Sequence, residues 1–147
     1  MNRRRNKVIL IMLGSVAVAA AAILFGPGLV LTPASSGMCG NERVAEYPSP
    51  DGALKVVVFQ RDCGATTGFS TQASLISGTD KLPDKAGNLF VADTDHGAAP
   101  AAAWGGPTLG VRWEGVRAVV LQHDERARVF KAEKHVRGTS IRYTWGR

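Results

Sequence analysis

Pro48-Ser49-Pro50-Asp51-Gly52-Ala53-Leu54-Lys55-Val56-Val57-Val58-Phe59-Gln60-Arg61 is a turn followed by an apolar run, and its reading decides the fold. Pro50 presets φ and Asp51-Gly52 favours a tight reversal, so residues 42–47 and 54–61 are predicted to pair as an antiparallel hairpin. Val56, Val57, Val58 and Phe59 are consecutive apolar residues, which predicts a central strand covered on both faces. Period-2 alternation continues outward from there. Residues 71–76 set Ala73 and Leu75 against Gln72 and Ser74, and residues 89–92 form a short apolar strand after a loop carrying Gly78, Pro83 and Gly87. Residues 109–113 and 116–122 are expected to form a second hairpin, with Glu114-Gly115 as its reversal. Residues 128–134 and 140–145 follow, joined around Arg137-Gly138. The fold class is therefore mainly β, a small antiparallel β-sandwich or strongly curved sheet of seven to eight strands.

Ahead of this domain the chain has a different character. Residues 8–25 are an unbroken run of Val, Ile, Leu, Met, Ala and Phe apart from Gly14 and Ser15, and no charge falls between Lys7 and Glu42. At about 1.5 Å per residue, the stretch 8–31 is long enough for a transmembrane helix across a core of about 30 Å. Its 13 Leu, Ile, Phe and Val residues favour insertion by about 4 to 8 kcal/mol before penalties. Gly26-Pro27-Gly28 takes some of that back and predicts a helix end near Phe25. Arg3, Arg4, Arg5 and Lys7 form a basic tail, residues 1–7, that is retained in the cytoplasm under the positive-inside rule. Residues 32–38 read as a flexible linker and residues 39–147 as an extracytoplasmic β domain. The expected location is a bacterial inner (plasma) membrane, single-pass. Signal cleavage is the alternative, since Ala17-Val18-Ala19 and Ala34-Ser35-Ser36 offer small residues at peptidase spacing, and the product would then be secreted or periplasmic.

The net charge of +6 does not point to nucleic acid. Four of the 18 basic residues lie in the tail, leaving 14 Lys plus Arg against 12 Asp plus Glu from Cys39 onward, and no basic footprint on the outer domain. Partners are expected to be the membrane itself and an extracytoplasmic protein, with no nucleic acid and no cofactor. Cys39 and Cys63 are the only cysteines, and an exported pair is expected to form a disulfide.

Three segments carry residues suited to chemistry. Asp93-Thr94-Asp95-His96-Gly97 places two carboxylates and an imidazole within four residues after a short strand. Oxygen ligands at alternate positions would begin a calcium site, and His123 with Asp124 would complete a zinc site if the fold brought them near. The structural reading of the same residues is an Asx turn. Cys63-Gly64-Ala65-Thr66-Thr67-Gly68-Phe69-Ser70 is rich in glycine and hydroxyls, so Thr66 and Thr67 are candidates for a nest that holds an anion or carbohydrate. The structural reading there is a bulged connection with Phe69 as a core anchor. Trp104-Gly105-Gly106-Pro107 would either cap the core or offer an indole to a ligand. Ser70, His96 or His123, and Asp93 make no recognisable triad, because no nucleophile-elbow sequence is present. No complete catalytic set is read.

The Ser49-Pro50-Asp51-Gly52 turn resembles the hairpin of β-propeller blades, a turn type rather than a function. The strings Arg61-Asp62-Cys63-Gly64-Ala65-Thr66-Thr67-Gly68-Phe69-Ser70-Thr71-Gln72 and Ala92-Asp93-Thr94-Asp95-His96-Gly97-Ala98-Ala99-Pro100 resemble a group of small uncharacterised bacterial membrane proteins or lipoproteins. The likeness covers roughly residues 39–131. It implies a bacterial source and an exported position, and no reaction. Met38 stands where a small residue normally precedes a lipidated cysteine, which departs from the lipoprotein version. The expected function is a membrane-tethered interaction module of the envelope. The alternative is a metal- or small-ligand-binding module, or a hydrolase, centred on Asp93, Asp95 and His96.

Overall fold

The computed structural model describes residues 39–64 and 68–146. The basic tail, the apolar stretch 8–31 and the linker, with Thr66 and Thr67, lie outside the described residues. Among the described residues no helix is long and apolar enough to cross a membrane. They form nine strands: β1 (Gly40–Pro48), β2 (Leu54–Asp62), β3 (Ser70–Ser77), β4 (Phe90–Asp93), β5 (Leu109–Gly115), β6 (Ala118–Asp124), β7 (Arg128–Ala132), β8 (His135–Val136) and β9 (Thr139–Gly146). The count exceeds the seven to eight expected because His135–Val136 forms a short strand of its own. One sheet has the order β1-β2-β3-β4-β7 and the other β5-β6-β9-β8.

The first hairpin forms as its turn chemistry requires. The Gly52 amide donates to the Ser49 carbonyl at 2.9 Å, Asp51 Oδ1 accepts from the Ala53 amide at 3.1 Å, and Gly52 takes φ +68°. Ser49 Oγ accepts from the Leu54 amide at 3.0 Å, closing the first rung. A bulge between Arg43 and Ala45 then twists β1 along β2.

β2 is covered on both faces. Val56 and Val58 belong to a hydrophobic cluster with Ala73, Leu75 and Phe90 of the same sheet and with Leu109, Val119, Leu121 and Ile141 of the other. One shared core therefore lies between the two sheets. Val57 and Phe59 point the other way and are fully buried too. Their β3 partners are Ser74 and Gln72. The connection from β3 to β4 is tied to that face: Gln72 Oε1 accepts from the Gly87 amide at 2.7 Å, and Asn41 Nδ2 donates to the Pro83 and Lys85 carbonyls at 3.0 and 2.7 Å. The segment after β3 is thus held along the sheet by side-chain amides. Asn88 extends the β3–β4 ladder with its side chain, accepting from the Leu75 amide at 2.8 Å and donating to the Leu75 carbonyl at 3.0 Å, as a peptide unit would. Gly87 is confined to glycine there, because a Cβ would sit 2.7 Å from the Ala73 carbonyl oxygen and 2.8 Å from that of Phe90.

Three connections differ from expectation. The reversal between β5 and β6 is at Val116-Arg117, two residues later than Glu114-Gly115. Those two residues instead lie in β5, where the register shifts between Trp113 and Gly115. Arg137-Gly138 does make a tight turn, with both residues at positive φ, but it joins β8 to β9. β7 pairs with β4 in the other sheet. β6 and β9 run parallel, so the antiparallel expectation fails at that one pair. β9 reaches β6 through the crossover from β7, and such a return brings it in along the same direction.

Candidate functional site

The loop after β4 is built on Asp93. Its Oδ1 accepts from the Asp95 amide at 2.8 Å, an Asx turn, and the chain then passes through three left-handed residues, Asp95 (φ 47°), His96 (φ 58°) and Gly97 (φ 93°). Left-handed φ at two consecutive non-glycine residues costs backbone energy. The loop holds it with amide bonds from Gly97 and Ala99 to the Thr94 carbonyl. Arg128, at the start of β7, meets Asp93 in a two-pronged pair, Nε to Oδ1 at 3.2 Å and Nη2 to Oδ2 at 2.5 Å, while its Nη1 lies 3.7 Å from Asp95 Oδ1. Register makes this contact, since Asp93 and Arg128 are direct partners across β4 and β7. Burial works against the Asp93 carboxylate. The Arg128 guanidinium and the Asp95 amide outweigh it and hold the carboxyl below its usual range.

The glycine-rich segment comes to the same place. Gly68 and Phe69 share with Asp93, Thr94, His96 and Arg128 an open cleft of about 290 Å³. The two loops singled out from the sequence are therefore neighbours, joined by the Thr71–Ala92 pairing of β3 and β4. Phe69 is not the core anchor expected of it. Its side chain is 47% exposed and rests against Gly105, where a Cβ would approach the ring within 2.6 Å. Its position at the mouth of a turn, one residue before β3, leaves it outside the inter-sheet layer.

His123 and Asp124 do not join this loop. His123 is buried against Phe90 and Tyr143, with ring centroids 5.4 and 6.4 Å away. Its Nδ1 lies 2.9 Å from the Asp124 carbonyl oxygen, which can only accept, so Nδ1 carries a hydrogen. Asp124 is gripped by Arg126 through Nε, Nη2 and the backbone amide, each at 2.9 Å, and its carboxyl is pushed down to about 2. Among the described residues no three His, Cys, Asp or Glu side chains converge as metal ligands. Both oxygens of Asp93 are already met by a cation of the protein itself. Ser70 Oγ lies within hydrogen-bonding reach of the Arg61 carbonyl and accepts from Gln72, a strand-end role.

Two further features complete the picture. Cys39 and Cys63 form the expected disulfide, with Cα atoms 3.9 Å apart, tying the entry of β1 to the end of β2. Trp104 is half-buried: its indole N–H donates to Thr71 Oγ1 at 2.9 Å, and the same buried hydroxyl donates to the Pro107 carbonyl at 2.6 Å. The anchoring role of Thr71 was hidden in the sequence, since nothing in a strand threonine signals a partner 33 residues away. The sequence also left Arg128 unmarked, because its pairing with Asp93 depends on the β4–β7 register.

No family model, no curated protein and no solved structure matches this chain.

Proposed function

We propose that the chain is a membrane-tethered extracytoplasmic β-sandwich that serves as a docking module for another protein of the same envelope. The observation that carries this reading is the exposure of large apolar side chains on β7 and β9: Phe130 is 60% and Trp145 72% exposed, with Val129 beside Phe130 at 37%. The Arg128 guanidinium lies over the Phe130 ring, 5.1 Å from its centroid, which fixes an aromatic side chain that is still largely exposed beside Val129, the kind of adjoining apolar surface that interaction sites present. Phe130 is the extra residue at the bulge where β7 pairs β4, so its side chain is displaced from the ladder's regular alternation. The apolar stretch 8–31 and the basic tail before it supply the tether and the orientation. A photo-crosslinking residue in place of Phe130, in intact membranes, should capture one discrete protein, and the same residue in place of Glu42, exposed on β1 at the opposite edge of that sheet, should not. Equal or absent capture at both positions would overturn the reading.

A second reading, a ligand site at Asp93, Asp95 and His96, is supported by the cleft that these loops share with Phe69. Thermal unfolding with Ca²⁺, Zn²⁺ or inorganic phosphate tests it. A rise in Tm that disappears in His96→Ala supports the site, and no rise with any of the three removes it.

A further inference from the structure

The end of the second sheet holds a different cleft, of about 420 Å³, and its lining is selective in kind. It is walled by Trp104, Thr108, Gly110, Gln122, His123 and Asp124. Gln122 is an exposed residue in the middle of a sheet, where long side chains on neighbouring strands would normally cover it. Its partner on β5 is Gly110, and Gly146 at the end of β9 lies so close that a Cβ there would press on the Gln122 amide. Two glycines therefore open a depression around one carboxamide.

Trp104 lines the same cleft, and its indole is anchored. Its only polar atom is spent on Thr71, so the ring is held in place while its apolar surface lines both this cleft and a second one beside Val44 and Gln60. The charge in the cleft is cancelled. Asp124 is neutralised by Arg126, and among the described residues lining the cleft there is no Lys or Arg. Among the described lining residues an anion would meet no lysine or arginine, and a cation would have to compete with Arg126 for Asp124. What remains is an immobilised aromatic face, a carboxamide with two donors and an acceptor, a threonine hydroxyl and carboxylate oxygens already ordered. Aliphatic C–H groups carry the weak positive edge that an aromatic face attracts, and ring hydroxyls both donate and accept.

From this juxtaposition we propose that the cleft between Trp104 and Gln122 binds a neutral pyranose sugar, one ring face stacked on the indole and its hydroxyls bonded to Gln122 and Thr108. This cleft shares no lining residue with the one at the Asp93 loop. Preformed walls of this kind need little ordering on binding, which suits a weak, exposed saccharide site.

The test uses the full 147-residue chain, purified with its N-terminal segment, titrated by isothermal calorimetry with cellobiose, maltose and N,N′-diacetylchitobiose, and with sialyllactose as a charged comparison. Saturable binding of at least one neutral disaccharide is expected. Gly110→Leu should weaken it by about tenfold or more, because it fills the depression from a strand position where a Cβ meets nothing nearer than 3.5 Å and so leaves folding intact. Gln122→Leu should do the same by removing the carboxamide, and Trp104→Phe should retain part of the affinity. Binding of sialyllactose alone, no binding of any neutral disaccharide to the folded chain, or binding indifferent to both Gly110→Leu and Gln122→Leu would each overturn the proposal.

Discussion

Single hydroxyls show how differently two buried threonines are used. Thr71 is fully buried and satisfies two groups at once, the Trp104 N–H and the Pro107 carbonyl. Thr71→Val keeps the shape and leaves both partners unmet, so a loss of about 2 kcal/mol is expected, seen as a fall in Tm of about 10 °C. Thr139 is equally buried, yet among the described residues its Oγ1 is the one buried side-chain polar atom without a hydrogen-bond partner. Thr139→Val removes an uncompensated polar group and should leave Tm unchanged or raise it. Opposite responses of these two isosteric changes in thermal unfolding check the hydrogen-bond assignment, and equal losses would refute it. The Arg128–Asp93 pair lies between these cases. Its geometry is two-pronged, but the arginine side chain is 42% exposed, so Arg128→Ala should cost no more than about 1 kcal/mol.

Among the elements, β1 is the most dependent on its surroundings. It is an edge strand, mostly exposed, held to β2 on one side, to the Pro83 and Lys85 carbonyls through Asn41, and to the disulfide at Cys39, just ahead of its first residue. A cross-link across 24 residues restricts the unfolded chain by about 3.5 kcal/mol in the entropic model, so Cys63→Ser is expected to lower stability by about 3 kcal/mol. The loss should be local first: under reduction, amides of Asn41 to Arg43 should exchange with solvent well before those of β2 and β3, as hydrogen exchange would show. The β1–β2 hairpin was legible in the sequence because Pro50, Asp51 and Gly52 encode their turn locally. The burial of Val57 and Phe59 was legible, since the apolar run demanded it, while the bonds from Asn41 and Gln72 to the segment after β3 were not, because that segment reads only as a polar loop. The β5–β6 turn was misplaced because Glu114-Gly115, a good turn pair, serves as a bulge, and Val116-Arg117 carries no turn signal. The place of β7 in the other sheet and the parallel β6–β9 pair were illegible, because short-range alternation says nothing about which sheet a strand joins. The candidate site follows the same division. Asp93, Asp95 and His96 were visible as residue types, whereas Arg128, which pairs with the two carboxylates, becomes visible only through the β4–β7 register.

Across the whole domain the ionic groups are nearly balanced, so its pH response should come from specific pairs rather than from net charge. Asp124 is held low by Arg126, and Glu46 by Arg43 and Lys55. Glu114 is held low by Arg142 and Arg112, and Asp93, against the effect of burial, by Arg128. In the unfolded chain these carboxyls return to their ordinary values near 4, so on acidification the unfolded state takes up protons first. Stability from these pairs is therefore complete above about pH 5 and is lost as pH falls through the native values, with Asp124, at about 2, still contributing at the lowest pH. At the alkaline end the sign reverses. Burial, with the nearby charge of Glu133, pushes the Tyr143 phenol up, and its hydroxyl donates to the Glu133 carbonyl at 2.8 Å. The unfolded chain then loses that proton first, and stability falls as pH rises beyond about 10. Urea denaturation at fixed pH should trace both limbs. Asp124→Asn should be less stable than the parent at neutral pH, should show a flatter decline between pH 4 and about 2, and should converge with the parent below that range. Tyr143→Phe should leave the acid limb untouched and flatten the alkaline one. An acid limb unchanged in Asp124→Asn would mean that the carboxyl has the same proton affinity folded and unfolded, the Arg126 pairing being present in both states or in neither, because only a difference in proton affinity between the two states can make stability depend on pH.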